Sequence, residues 1–401
     1  MRRLVWLVGL SHATNHLVML IFPAILLLVQ REFGLGYAGL GAIANAGLLG
    51  YGLGALPAGM LADRLGGQRV LAVWLFGGSL ACLGIGLAGT PATLSLGLAV
   101  LGIFASLHHP AGSGILVALR RRGGMDVGRA FGLVGILGNI GLAASPFLSA
   151  TVAGAWGWRA AFLAGAIPGL LLCIPLWQDP ADPLPGGDRS QAERRPVGRL
   201  WHSLTLPLVL LFAFETVVGF IFQGFSTFMP TLLAQHAGIP GLTTAQVTRG
   251  GSLASLALLL GGVGHVIAGR LMGLPRREAI FVGTAAASML CLAVMGTASG
   301  VWLVIFSSAL ALTHFSLGTM SNTLIAFHVP SRLGGTAFGI TFTLAFGVGS
   351  LASTSMGLVA ERWGLHAVFS ALALVAVGSV LITAALAWST AAAAHGASSS
   401  S

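Results

Sequence analysis

The stretch Trp156-Gly157-Trp158-Arg159-Ala160-Ala161-Phe162 returns 207 residues later as Trp363-Gly364-Leu365-His366-Ala367-Val368-Phe369. At the same offset Ala130-Phe131-Gly132 returns as Ala337-Phe338-Gly339, and Pro23 returns as Pro230. A 401-residue chain that repeats itself once at this spacing reads as two like halves.

Around these landmarks the sequence is 56% hydrophobic and 7% charged. A soluble domain carries roughly a quarter charged residues, so this chain lacks the polar groups to cover itself with a surface that water accepts. A bilayer core about 30 Å thick takes roughly 20 apolar residues per helix. The pattern predicts twelve such spans, at 4–30, 38–62, 70–89, 92–119, 130–154, 159–177, 203–235, 247–271, 279–298, 300–328, 335–358 and 364–388. The expected fold is an all-α membrane protein of twelve transmembrane helices in two pseudo-symmetric six-helix bundles, 1–178 and 203–389. Inverted or parallel repeats of membrane helices commonly frame a solute site at the midplane between two rocking bundles.

Between the bundles, 179–202 holds Pro180, Pro183, Pro185, Gly186, Gly187 and Pro196 among alternating charges, and reads as a flexible cytoplasmic linker. Residues 390–401 read as a disordered tail. Arg2 and Arg3 precede an apolar stretch too long and too studded with polar groups for a signal peptide. The 59 glycines suit close helix approach in lipid. Trp6, Trp156, Trp158, Trp177, Trp201, Trp363 and Trp388 fall near span ends, as interfacial anchors do, whereas Trp74 and Trp302 fit that role less well. Cys82, Cys173 and Cys291 lie far apart within apolar segments and suggest neither a disulfide framework nor a thiolate metal motif.

All twenty basic residues are arginine. With the N-terminus inside, only Arg31, Arg159, Arg249 and Arg362 fall on the outer side, so the positive-inside rule places both termini in the cytoplasm. That distribution, facing anionic lipid headgroups, accounts for the net charge of +10 without a nucleic-acid partner. A bacterial-type inner membrane is the expected location.

After the second span comes Gly59-Met60-Leu61-Ala62-Asp63-Arg64-Leu65-Gly66-Gly67-Gln68-Arg69. This closely resembles the loop signature of the major facilitator superfamily, Gly-x-Leu-Ala-Asp-Arg-x-Gly-x-x-Arg, and the resemblance extends over the whole chain. It implies twelve-span secondary transporters working by rocker-switch alternating access. It further implies that Gly59, Asp63, Arg64, Gly66 and Arg69 form a conformational latch, an acidic group near helix ends pairing with arginines across the bundle interface. The second-half counterpart, Ala268-Gly269-Arg270-Leu271, has glycine in place of the aspartate. In span five, Gly132, Gly141, Ser145 and Pro146 resemble the antiporter motif of drug/proton exporters in that superfamily, with serine and alanine replacing its last glycines. A helix of small residues with a proline packs tightly and bends.

Polar side chains at bilayer depth are costly and usually face a cavity. His12, Asn15 and His16 share one helical face of span one. His108 and His109 lie within span four, Glu215 and Gln223 on span seven, and His314 and Asn322 on span ten. Spans one, four, seven and ten line the central cavity in the superfamily, so His12, Asn15, His16, His108, His109, Gln223, His314 and Asn322 are the expected cavity residues. Glu215 is the carboxyl placed deep in a span, and with histidine it is a candidate proton carrier, His108 standing second. His108-His109-Pro110-Ala111-Gly112-Ser113-Gly114 resembles the superfamily's Arg-x-x-Gln-Gly-x-Gly pattern with His108 at the arginine position. It is also similar to a Phe-x-x-x-His-Pro stretch of the fosmidomycin-resistance subgroup.

The leading expectation is proton-coupled export of a small, partly apolar compound by a monomer with no cofactor. The alternatives are uptake or facilitated diffusion of a small metabolite, and transport of a transition metal or its chelate through a histidine-lined cavity. No resident metal is expected; His12, His16 and His108 are the residues that suit one, with no Asp or Cys to complete the shell. An enzyme is not expected, since neither His-Glu-x-x-His nor a supported Gly-x-Ser-x-Gly elbow occurs.

Overall fold

The computed structural model of the chain describes residues 2–121, 127–178, 204–238, 245–329 and 334–398. Span 1 runs as Arg2–Met19 and Ile21–Phe33, span 2 as Tyr37–Leu65 and span 3 as Gly67–Gly86. Span 4 is Pro91–Ala105 with His108–Arg121, span 5 Val127–Trp156 and span 6 Trp158–Gln178. Spans 7 to 10 are Leu206–His236, Gln246–Leu271, Arg277–Met295 and Gly300–His328. Span 11 joins Gly334–Phe342, a π-helical turn at Thr343–Val348 and Leu351–Trp363, and span 12 is Leu365–Ser398. By length and apolarity, 11 helical stretches among the described residues suffice to cross a membrane, and Tyr37–Leu65 adds a 29-residue helix.

Proline sets the interruptions. Without an N–H, Pro23 cannot bond the Met19 carbonyl, and span 1 breaks at Leu20; Pro110 does the same to Ser106, where span 4 breaks. Glycine sets the sharp reversals. Gly66 between spans 2 and 3 has φ +88°, and Gly157 and Gly364 have φ +85° and +83°, values that a residue with a Cβ resists. The last two are the glycines of the duplicated stretch, so the repeat encodes one reversal used twice.

It also encodes one tether used twice. Beyond the first reversal, Arg159 donates from Nη2 to the Ala88 carbonyl at 2.7 Å. Beyond the second, His366 Nδ1 donates to the Met295 carbonyl at 3.1 Å. Both donor and acceptor are displaced by 207 residues. In the first half Arg159 also pairs with Glu32 at 2.7 Å, and Trp158 Nε1 donates to Glu32 at 2.6 Å. Trp158, expected as an interfacial anchor, is instead buried in this clamp. Trp302, together with Trp156 and Trp363, is exposed at the same end of the bundle, and Trp6, Trp177 and Trp388 are exposed at the other, which is how aromatic belts sit. Between the belts Leu53, Leu171, Leu256, Leu374 and Leu381 are exposed, an apolar girdle that lipid can solvate.

Span 12 continues to Ser398, into the 390–401 stretch expected as a disordered tail. Ala391 to Ala394 explain the difference, because alanine has the highest helix propensity. The linker 179–202 and the Asp63 side chain lie outside the described residues. Arg64 and Arg69 are exposed.

Adjacent spans alternate in direction, so one end of the bundle carries Arg2 and Ser398 and the far end carries the reversals at Gly157 and Gly364. The two halves meet at the far end. Arg31 Nη2 donates to Gln246 at 2.9 Å, the Ala38 N–H to Glu361 at 2.8 Å and Gln235 Nε2 to the Tyr37 hydroxyl at 3.0 Å. Small residues let the backbones touch there. A Cβ at Gly41 would strike the Ser353 carbonyl, and one at Gly251 the Pro146 carbonyl. Towards the terminal end His108–Arg121 packs on spans 1, 2, 3 and 5 and Gly300–His328 on spans 7, 8 and 9, while Gly334–Phe342 of span 11 packs on span 2 of the first half.

Candidate functional site

The breaks in spans 1 and 4 place polar groups side by side in the first half. Asn15 Nδ2 donates to the Ala105 carbonyl at 2.7 Å, next to the span 4 interruption. One turn away, four histidines assemble from two helices. The His12 and His108 rings stack at 4.9 Å and 14°, and His109 stands edge-on to both, 5.0 and 5.2 Å away. His16 Nε2 lies 3.1 Å from His12 Nε2.

Acceptors fix the tautomers. The Val134 carbonyl can only accept, so His12 donates from Nδ1 at 2.9 Å and keeps its Nε2 lone pair. His16 must then donate from Nε2 to His12. At 3.2 Å, Trp74 Nε1 donates to Ser11 Oγ, leaving the Ser11 hydroxyl hydrogen free to go to His108 Nδ1, 3.0 Å away. Trp74 thus braces the cluster from inside the bundle, which explains a tryptophan so far from either belt. Glycine clears the space: a Cβ at Gly138 would collide with the His12 ring.

Beside this cluster lies a chamber between the halves, lined by Asn15, His16, Tyr51, Phe222, Gln223 and Phe346 with aliphatic neighbours. About 60 Å³ of it is open to the centre of a water molecule. One water needs about 10–15 Å³ on that measure, so the chamber takes several waters or a compact solute. Two buried polar groups in its wall lack partners. Asn15 turns its NH₂ to Ala105, which leaves Oδ1 unsatisfied, and Gln223 Nε2 is unsatisfied on the opposite half. Both residues line the chamber, one from each half, and the two unpartnered atoms are themselves buried in its wall. No lining residue is an arginine, aspartate or glutamate.

The remaining expected residues scatter. His314, 206 residues after His108 and so one short of the repeat offset, is buried against Phe222 at 5.7 Å and Phe225 at 5.0 Å, behind the chamber wall. Asn322 is exposed and does not line the chamber. Glu215 is buried eight residues before Gln223, about 12 Å along the helix, beside Ser321 and with Oε1 unpartnered. The structure does not bring it into the histidine cluster. In span 5 the antiporter-like residues divide. Ser145 donates to the Leu17 carbonyl, Gly141 lies against Ala13, Pro146 faces Gly251 of the other half, and Gly132 has open space around it.

Sequence reasoning missed Tyr51, Phe342 and Phe346. Phe346 lies 4.9 Å from Tyr51, and Phe342 stacks on His109 at 5.2 Å and 12°, so both halves close over the site. Tyr51 is one of two tyrosines and sits mid-span, which is a legible signal. The π-helical turn that aims Phe346 has none beyond the local glycines Gly347 and Gly349.

Residues 7–354 match the family model described as Major Facilitator Superfamily. The chain is 27% identical to the gallate transporter of Pseudomonas putida over 403 residues, covering 89% of this chain and 87% of that protein. It is 25% identical to the fosmidomycin resistance protein of Escherichia coli (strain K12), with coverage of 90% and 87%. Among solved structures, the nucleoside transporter NupG superposes with a TM-score of 0.71 at 16% identity over 96% of this chain and 97% of that one. An inward-facing, unoccupied bacterial homologue of the human lysosomal transporter Spinster gives a TM-score of 0.77 at 15% identity, with coverage of 96% and 95%. These structural likenesses show the same fold.

Proposed function

The chain belongs to the Major Facilitator Superfamily, a multi-pass transporter of a small solute, and on that premise we propose that it is a proton-linked carrier of a compact, partly apolar compound bearing hydroxyl or carbonyl groups. The observation that carries this reading is a pair of buried, unpartnered atoms, Asn15 Oδ1 and Gln223 Nε2, on residues that line one chamber from opposite halves. A solute that accepts from one and donates to the other bridges the halves, and occlusion then follows from binding. The aromatic walls at Tyr51, Phe222 and Phe346 supply its apolar seat. The lack of charged lining residues favours a neutral or weakly acidic molecule over a strongly charged one.

Glu215 is the proposed proton carrier, with His108 second. The arginine distribution favours termini in the cytoplasm of a bacterial cell, and on that reading the far end, where the halves meet, faces outward. Export is the working direction; it draws on the span 5 motif and on the likeness to a resistance protein. The second reading, carriage of a hydroxylated aromatic acid, draws on the gallate transporter and on the aromatic chamber walls.

The test is counterflow in proteoliposomes with a panel of hydroxylated aromatic acids and fosmidomycin. Asn15→Leu and Gln223→Leu are each expected to weaken the apparent affinity for the transported compound roughly two- to ten-fold, the value of one hydrogen bond. Unchanged affinity in both variants would remove the chamber as the binding site.

A further inference from the structure

We propose that His12, His108 and His109 form a binding site for a divalent transition-metal ion of the zinc, cobalt and nickel class. The sequence pattern favoured His12 with His16, one turn apart. Tertiary structure selects a different set: His12, His108 and His109 each offer a ring nitrogen, and these atoms lie within 4.8 Å of one another. A tetrahedral ion holds nitrogens about 2.0–2.1 Å from itself and so about 3.4 Å apart. Closing the gap takes ring movements of about an ångström.

The surroundings are those that metal-binding imidazoles use. Such a ring usually donates its second nitrogen to a carbonyl or other acceptor, which fixes its tautomer and aims the lone pair. His12 does this through Nδ1 to the Val134 carbonyl at 2.9 Å, and its Nε2, which accepts from His16 Nε2 at 3.1 Å, becomes the ligand atom when an ion displaces that bond. His108 Nδ1 accepts from Ser11 Oγ at 3.0 Å; for Nε2 to ligate, its proton moves to Nδ1 and the Ser11 hydroxyl turns to accept it. The Trp74 bond to the same hydroxyl holds the arrangement in place. Gly138 provides the room for His12, and Gly112 has the His108 ring close beside it. The cluster is therefore braced on its outer side, and an ion gains the inner lone pairs by displacing the His16 bond and shifting the His108 tautomer.

The donor set selects the ion. Neutral imidazoles suit zinc, nickel, cobalt and copper, whereas magnesium and calcium require oxygen ligands. Three protein nitrogens leave a fourth position free, and His16, whose Nε2 is 3.1 Å from His12 Nε2, stands next to it on the chamber wall. No carboxylate or thiolate joins the group among the described residues. Uncharged ligands leave the ion its full charge at bilayer depth, a cost that weighs against permanent occupancy and suits cargo or a co-transported ion. His109 also stacks on Phe342 of the other half, so the occupied site touches the partner that must move in alternating access.

Cobalt(II) is the probe, because a four-coordinate nitrogen site gives it visible absorption bands. Tag-free, chelator-washed protein in detergent is titrated with cobalt chloride, and zinc chloride is then added as competitor. The expected result is one equivalent bound with four-coordinate bands, displaced by zinc. His12→Ala, His108→Ala and His109→Ala each lose the bands, while His236→Ala, at the far end, keeps them. Thermal unfolding of each variant reports whether it is folded. Absence of the bands in wild-type protein overturns the site, and so does their persistence in His109→Ala. Solute counterflow in chelator-washed wild-type protein reads the chamber separately: its survival without metal leaves the solute reading standing whatever the cobalt titration shows.

Discussion

At the scale of single residues, the chamber and the proposed coupling group are separate objects. Asn15 and Gln223 are polar and uncharged, each with one buried atom unpartnered, the condition in which a buried group gains most from a ligand that completes it. Glu215 has an unpaired Oε1 but lies about 12 Å along span 7, with Ser321 beside it. A residue so placed can change the chain's charge without touching the solute. Glu215→Gln keeps the shape and removes the titration. It is expected to abolish accumulation driven by a pH gradient and to spare counterflow exchange, both read in the same proteoliposomes. Gradient-driven accumulation at the wild-type rate would move the coupling role to His108.

At the scale of elements, proline and glycine decide geometry that apolar residues leave open. Pro23 and Pro110 break spans 1 and 4 where the polar cluster forms, while Pro230, the repeat partner of Pro23, stays inside an unbroken Leu206–His236 helix. The two halves therefore diverge at the site although they share their reversals. Gly41 is a sharper case, since a Cβ there would meet the Ser353 backbone carbonyl, which cannot rotate away. Overpacking typically costs about 1–3 kcal/mol, so Gly41→Ala is expected to tilt the balance against the joined far end by roughly ten-fold. The measurement is the alkylation rate of Gln235→Cys in a background with Cys82, Cys173 and Cys291 replaced. Faster labelling with Gly41→Ala is the expected outcome, and an unchanged rate would mean that the far end does not open at this seam.

At the scale of the whole molecule, hydrogen bonds and close backbone contacts join the halves at the far end. Alternating access requires that this joint open in each cycle. Tyr37 and Gln235 bond across the joined end at 3.0 Å through the tips of their side chains, so Tyr37→Cys with Gln235→Cys, in a background with Cys82, Cys173 and Cys291 replaced, is expected to be bridged by a bifunctional thiol reagent with a reducible spacer, which holds that end shut. Bridging should then stop flux and reduction should restore it. Continued flux through the bridged protein would exclude rocking about this seam.

Much of this was legible in the residues themselves. Twelve spans, two halves and the family follow from apolar run lengths, the 207-residue offset and the Gly59–Arg69 signature, because a bilayer constrains length and composition locally. Asn15, His16 and Gln223 stood out because a polar side chain at depth needs a reason to be there, and all three line the chamber. What the sequence alone left open depends on rotation about helix axes and on contacts between distant spans. It did not separate Glu215 from the histidines, place Asn322 away from the chamber, bury Trp158 in the Glu32 clamp or bring Phe342 onto His109. Nor did it prefer His109 over His16 as the third imidazole beside His12 and His108. Helical spacing places residues on a face; where that face turns is settled by the packing of helices more than a hundred residues apart.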